Sequence, residues 1–136
     1  MRVLKRWTLK NGLELEALDL SENYWADFWN LRIQIVGRVK VDPSLIPFED
    51  PLAEEALKAL GDEVTYLREI TKVGVREEEL QQQRRKVLLT FEQNALPYLQ
   101  HPDFPRRFLL RRFEETLKKM KIEKMRRDQG EEADEV

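Results

Sequence analysis

The sequence has no cysteine and a single histidine, His101, in 136 residues. The first absence excludes disulfides, thiolate metal sites and thiol nucleophiles. The second leaves no pair of imidazoles for a metal, and His101 precedes a proline in a predicted interhelical connection, which reads as a structural position. The five glycines form neither a phosphate loop nor a dinucleotide fingerprint. No apolar run approaches the roughly 20 residues that span a bilayer. The opening MRVLKRWTLK lacks the apolar core of a secretory signal. These absences lead to the expectation of a non-catalytic, cytoplasmic protein with no cofactor, no bound metal and no membrane contact. Carboxylates do not change that expectation, because 26 acidic side chains make chance pairs inevitable.

What the chain has in abundance is charge. Charged residues make up 37% of it, well above the roughly 25% of an ordinary domain, and hydrophobic residues at 41% are still enough for one core. The net charge of −2 conceals an uneven layout. Residues 104–127 carry 10 basic and 3 acidic side chains, whereas residues 128–136 carry 5 acidic and none basic. That final segment, DQGEEADEV, has almost nothing to bury and is expected to be a disordered acidic tail behind a single domain spanning 1–127.

From Trp29 to Val41 apolar residues (Trp29, Leu31, Ile33, Ile35, Val39, Val41) hold the odd positions, and mostly polar ones (Asn30, Arg32, Gln34, Arg38, Lys40) hold the even ones. This period of two predicts a long strand with one dry face. Gly37 falls on that face with the alternation intact on both sides, as if making room for a large neighbour. Upstream, Val3–Leu9 and Leu13–Leu20 flank Asn11-Gly12, a hairpin signal. A two-residue turn would set the apolar sets on opposite faces. A three-residue loop with Gly12 as a left-handed bulge pairs Leu9 with Leu13 and Trp7 with Leu15, and burial of one face selects it. Residues 21–27 read as a connection.

Three prolines break regular structure between Asp42 and Pro51. Asp50 then caps a short helix with Pro51 at its first position, stopped by Gly61. Residues 63–75 have some helical spacing, but their β-branched content favours a fourth strand. A helix from about Glu77 carries Leu80, Val87, Leu88, Phe91, Ala95 and Leu99 on one face, ended or kinked by Pro97. A last helix follows Asp103 and runs to about Arg126. The predicted fold is α+β: a mainly antiparallel four-stranded meander with a short connecting helix and two C-terminal helices packed on one face.

Three segments carry functional suggestions. Arg2 and Arg6, followed by Asp19 and Ser21 in DLSENY, resemble the two motifs of PilZ domains, although Tyr24 stands at the final glycine position. That resemblance implies a β-barrel that binds a cyclic dinucleotide, with the arginines on phosphates and Asp19 and Ser21 on a guanine. Read from the residues alone, Arg2 and Arg6 are wet-face strand residues and Asp19 and Ser21 begin a turn. The aromatic run YWADFW at 24–29 could stack on bases beside Arg32, Arg38 and Lys40. Core or sheet-edge packing, with Glu14 and Glu16 balancing the cations, is the simpler reading.

In the last helix, Leu109, Leu110, Phe113, Leu117 and Met120 share one arc of a wheel turning about 100° per residue. Arg107, Phe108, Arg111, Arg112, Lys118 and Lys119 lie outside that arc and form the candidate interaction surface. The leading expectation is a small non-catalytic module that binds protein or pairs with itself as a homodimer. The alternative is a nucleic-acid or nucleotide binder using the basic helix.

Overall fold

The long strand runs Phe28–Lys40 in a computed structural model that describes residues 1–134, with side chains through Gly130. Leu31, Ile33, Ile35, Gly37 and Val39 are buried, and Arg32, Arg38 and Lys40 are exposed. In chain order the strands are β1 (Arg2–Thr8), β2 (Glu14–Asp19), β3 (Glu22–Trp25), β4 (Phe28–Lys40) and β5 (Glu63–Arg76). The helices are α1 (Ala53–Leu60), α2 (Leu80–Asn94), α3 (Leu96–Leu99) and α4 (Phe104–Asp134). The predicted class is the observed one: an antiparallel sheet ordered β1-β2-β4-β3 with β5 also on β4, a short connecting helix, and C-terminal helices. The chain divides into two compact units, residues 1–38 with 65–105, and residues 39–64 with those from 106 onward.

In the first unit the hairpin takes the three-residue loop. Trp7 pairs with Leu15, Leu9 N–H donates to Leu13 O at 2.9 Å, and Gly12 has φ 87°. The Asn11 side chain fixes this loop to distant chain: its Nδ2 donates to Leu99 O (2.7 Å) and His101 O (2.9 Å), while its Oδ1 accepts from Leu13 N–H. Near the start of β1 the register shifts between Val3 and Lys5, and Lys5 comes opposite Ala17 on the helix-facing side. There Lys5 meets Glu92 of α2, and Trp7 lies 5.2 Å from the ring of Phe91.

The segment expected to be a connection is largely strand. Asp19 pairs with Ile33 and Glu22 with Asn30, three steps along each chain, so β2 and β3 keep one register against β4. Leu20 N–H donates to Arg32 O across the interruption, and Ser21 Oγ accepts from Arg32 N–H. Only Ala26 and Asp27 separate the last paired residues, Trp25 and Phe28. The polar residues Ser21, Glu22 and Asn23 read as loop, but backbone pairing and the strand preference of Tyr24 and Trp25 prevail.

α2 buries Leu80, Val87 and Phe91, and Glu77–Glu79 form a 3-10 turn before it rather than its first turn. The helical path breaks at Ala95, since Pro97 has no N–H to continue it, and α3 adds one further turn. The lone histidine completes the connection that follows: His101 Nδ1 accepts from Asp103 N–H at 3.1 Å, and His101 O accepts from Phe104 N–H. Phe104 in turn meets Tyr66 of β5 and Tyr98 of α3 edge-on, at 6.2 and 5.4 Å between ring centres.

In the second unit, Asp42 accepts from Ser44 N–H to start a 3-10 turn at Pro43–Leu45. Asp50, expected to cap the short helix with Pro51 at its first position, instead accepts from Leu52 N–H in a turn that precedes it; α1 starts at Ala53 with Leu52 at its cap, and Gly61 at φ 75° ends it. The predicted apolar arc of α4 is the covered one: Leu109 and Phe113 are buried, and Leu110, Leu117 and Met120 are half-buried. Every residue from Lys121 to Gly130 is exposed. α4 continues past Arg126 to Asp134, so residues 128–134 of the expected tail are helical, and 135–136 lie outside the described residues.

Gly37 sits opposite Leu15, and a Cβ at Gly37 would lie 2.6 Å from Leu15 Cδ2. Leu15 is fully buried and cannot swing into solvent. Gly37→Ala should therefore destabilise the fold by about 1–3 kcal/mol through overpacking. In a Leu15→Ala background the same change should cost much less, and urea denaturation of the four chains measures that coupling.

Candidate functional site

The outer face of the first unit's sheet carries the even residues of β4 and, on β5, Leu67, Glu69, Thr71 and Val73; at Gly74 (φ 75°) the parity changes, so that Val75 is buried and Arg76 lies outward. Arg32 makes a two-pronged contact with Glu69, Nε to Oε1 at 2.9 Å and Nη2 to Oε2 at 3.1 Å, and Gln34 Nε2 donates to Glu69 Oε2 at 2.9 Å. Hydrogen bonds from Arg32 and Gln34 hold the Glu69 carboxyl below its ordinary range. Arg32 was expected to be balanced from β2. Its partner comes instead from β5, on the other side of β4, and Glu16 pairs with Arg6 of β1. A concavity of about 530 Å³ between β1, β2 and β4 is lined by charges of both signs, including Arg6, Glu14, Glu16 and Arg38.

The β3–β4 turn raises an aromatic corner on this face. Ala26 has φ 50°, and Asn23 Nδ2 braces the turn by donating to Ala26 O and Phe28 O. Trp25 stacks on Phe28 with ring centres 6.0 Å apart and planes 4° from parallel, and Tyr24 lies 6.4 Å from the same ring. The Arg76 guanidinium stands 5.7 Å from the Phe28 ring. Tyr24 also reaches β5, where its hydroxyl is 3.9 Å from the place of a Cβ on Gly74. Trp25 is 68% exposed, Tyr24 51%, and on β5 Val73 is 79% and Leu67 57% exposed. Sequence reasoning gave only Phe28 a clear place outside the core, and Phe28 is half-buried among the others. The missed signal is the tightness of Ala26-Asp27, which puts Tyr24 and Trp25 in strand. Leu67 and Val73 could have been read from the alternation around Glu69 and Thr71.

The sequence-derived surface on α4 belongs to the second unit. Arg107, Arg111, Arg112, Lys118 and Lys119 lie toward solvent along that helix, Lys118 and Lys119 near its half-buried Leu117, whereas Phe108 is half-buried. Glu114 and Glu115 are exposed on the same helix and interrupt the basic strips. Lys121 pairs with Asp50, whose carboxyl is held below its ordinary range, and Arg127 pairs with Glu123 at 3.0 Å. Among the described residues no group of three or more histidines or carboxylates is placed to hold a metal, and no helix is long and apolar enough to cross a membrane.

The four residues that resemble PilZ motifs are brought close, but they are engaged with the fold. Arg2 and Asp19 are register partners 3.8 Å apart, and Arg6 Nε meets Glu16 Oε2 at 3.3 Å. Asp19, with its side chain 8% exposed, lies 2.8 Å from Arg84 Nε of α2. The Arg84 N–H is not aligned for a hydrogen bond, so this contact is a charge pair. Comparison with protein-family models, with curated proteins and with solved structures finds no match.

Burial pushes the Asp19 carboxyl up, but the hydrogen bonds from Ser21 and the charges of Arg84 and Arg2 outweigh it and leave it below the ordinary 3.8. A carboxyl lowered by folding stabilises fully above its unfolded value and loses that contribution as pH falls through the folded value. Asp19→Asn should cost about 1–3 kcal/mol at neutral pH. It should also flatten the loss of stability below 3.8, read from urea midpoints titrated down to about pH 2.

Proposed function

We propose that this chain is a non-catalytic interaction module that docks on protein, another chain or its own copy, through the outer face at the β3–β4 corner. The observation that carries the reading is the cluster of Trp25 and Tyr24 exposed together around Phe28, with Arg76 over the same ring. Exposed apolar clusters of this kind mark interaction sites, and tryptophan, tyrosine and arginine dominate binding energy once water is excluded from them. The charged residues around it support the reading because Arg32 and Glu69 satisfy each other and leave the aromatic rings as the adhesive part.

A photo-crosslinking amino acid at Trp25 should give a discrete protein adduct in cells, and the same probe at Glu54 on α1 should not. Trp25→Ala should change stability by no more than about 0.5 kcal/mol, because the ring is exposed, and should abolish the association. Absence of an adduct at position 25 overturns the reading.

A second reading, nucleic acid on α4, draws on the exposure of Arg111, Arg112 and Lys119. It requires binding to mixed-sequence DNA or RNA at low salt that weakens steeply as salt rises, since neutralised phosphates release counterions. The interleaved Glu114 and Glu115 and the overall charge of −2 lead us to expect none at tens of micromolar protein, by fluorescence anisotropy.

A further inference from the structure

β5 runs for 14 residues, and among the described residues it pairs with β4 alone. Its far edge therefore presents backbone donors and acceptors between Leu67 and Val73, a template for another strand. Natural edges are usually blunted by short length, proline or charge. Here the exposed face of that stretch reads Leu67, Glu69, Thr71, Val73, with the two apolar residues exposed at 57% and 79%. We infer that two copies of this chain join antiparallel along β5 about a two-fold axis at Ile70, continuing one sheet across both. The inference goes beyond the interaction reading above: it concerns the far edge of β5 rather than the β3–β4 corner, and its partner is a second copy.

The register follows from parity. Residues directly opposite in an antiparallel pair share a face, so a self-paired strand with its helices kept on one side must place the axis at a residue. Three axes keep most of β5 in the pair. An axis at Glu69 sets two carboxylates directly opposite each other, and like charges there are destabilising. An axis at Thr71 sets Glu69 against Val73 and Ile70 against Lys72. An axis at Ile70 sets Leu67 against Val73 of the second copy twice, Glu69 against Thr71 twice, and Ile70 against itself. It alone covers both exposed apolar side chains with each other. It also has a cost: Arg68 falls opposite Lys72 of the second copy, although Lys72 Nζ is already bound to Gln83 Oε1 of its own α2 at 2.9 Å. That flaw identifies the register, because reversing one of the two charges should strengthen the dimer.

The absence of cysteine makes the test direct. Leu67→Cys and Val73→Cys, both at exposed positions, are made in full-length chains with different tags and mixed at about 100 µM in a glutathione redox buffer. The expected product is the mixed disulfide, joining position 67 of one variant to position 73 of the other, at least tenfold over either homodimer. Opposed residues in an antiparallel pair fall within bridging distance, whereas two copies of the same position do not. Arg68→Glu should tighten the dimer about tenfold by sedimentation equilibrium, because two like-charge pairs become attractive. A statistical mixture of the three disulfides, or no disulfide with the chain monomeric, overturns the inference. If the Trp25 probe still gives an adduct in that case, the interaction module stands and only the edge pairing fails. If it gives none, both fail.

Discussion

The contact between Leu15 and Gly37 decides which side of this sheet is dry. β4 alternates strictly, and a strand of that kind can be placed against its neighbour in only one parity without exposing its apolar set. Leu15 fills the space that a side chain at position 37 would need, so the pair fixes the parity and the position along β4 together. From that point the same register continues through Asp19 with Ile33 and Glu22 with Asn30 as far as Asn23 with Trp29, and shifts by one before Trp25 meets Phe28 at the turn. The direction in which Phe28 points is thus set several residues away, by a leucine that never reaches the surface.

The charged residues act mainly as ties between elements. Arg84 with Asp19 and Lys5 with Glu92 join α2 to the first two strands, Arg32 with Glu69 joins the two long strands, and Lys121 with Asp50 joins the last helix to the turn before α1. Pairs at the surface contribute little to stability individually, roughly 0–1 kcal/mol. Their effect is to occupy charges that would otherwise look like parts of a site. Arg32 illustrates this: in sequence it belongs to a basic face, and in the fold both of its prongs hold one carboxylate.

Much of the fold was legible because the relevant residues report on backbone geometry or on one buried face. Gly12 and the apolar parity of Trp7 and Leu15 specified the bulged hairpin, β-branched content specified β5, and Gly61 marked the end of α1. The misses share another cause. β3 was hidden because Glu22 and Asn23 are loop formers held in strand by pairing with Asn30 and Trp29. The shift at Leu4 in β1 leaves no local signature, and the partner of Arg32 depended on which side of β4 received β5. The aromatic corner was half legible: its residues stood out, but their exposure follows from a turn only two residues long. The basic residues of α4 were legible as an exposed surface, and nothing local in the sequence says what such a surface meets.

The loop clasp at Asn11 bears on how the chain comes to be folded. Its amide bonds span 88 and 90 residues of sequence, and Lys5 with Glu92 spans 87. Contacts so distant in sequence close slowly, because a large loop must lose its freedom before they form. During synthesis the first hairpin emerges with Trp7 uncovered and Asn11 unclasped, and their partners, Phe91 and the chain from Leu99 to His101, are made only after some 80 further residues. The two ends of the first unit must therefore find each other late, and a nascent chain cut short of α2 would leave its strands without the face they pack on.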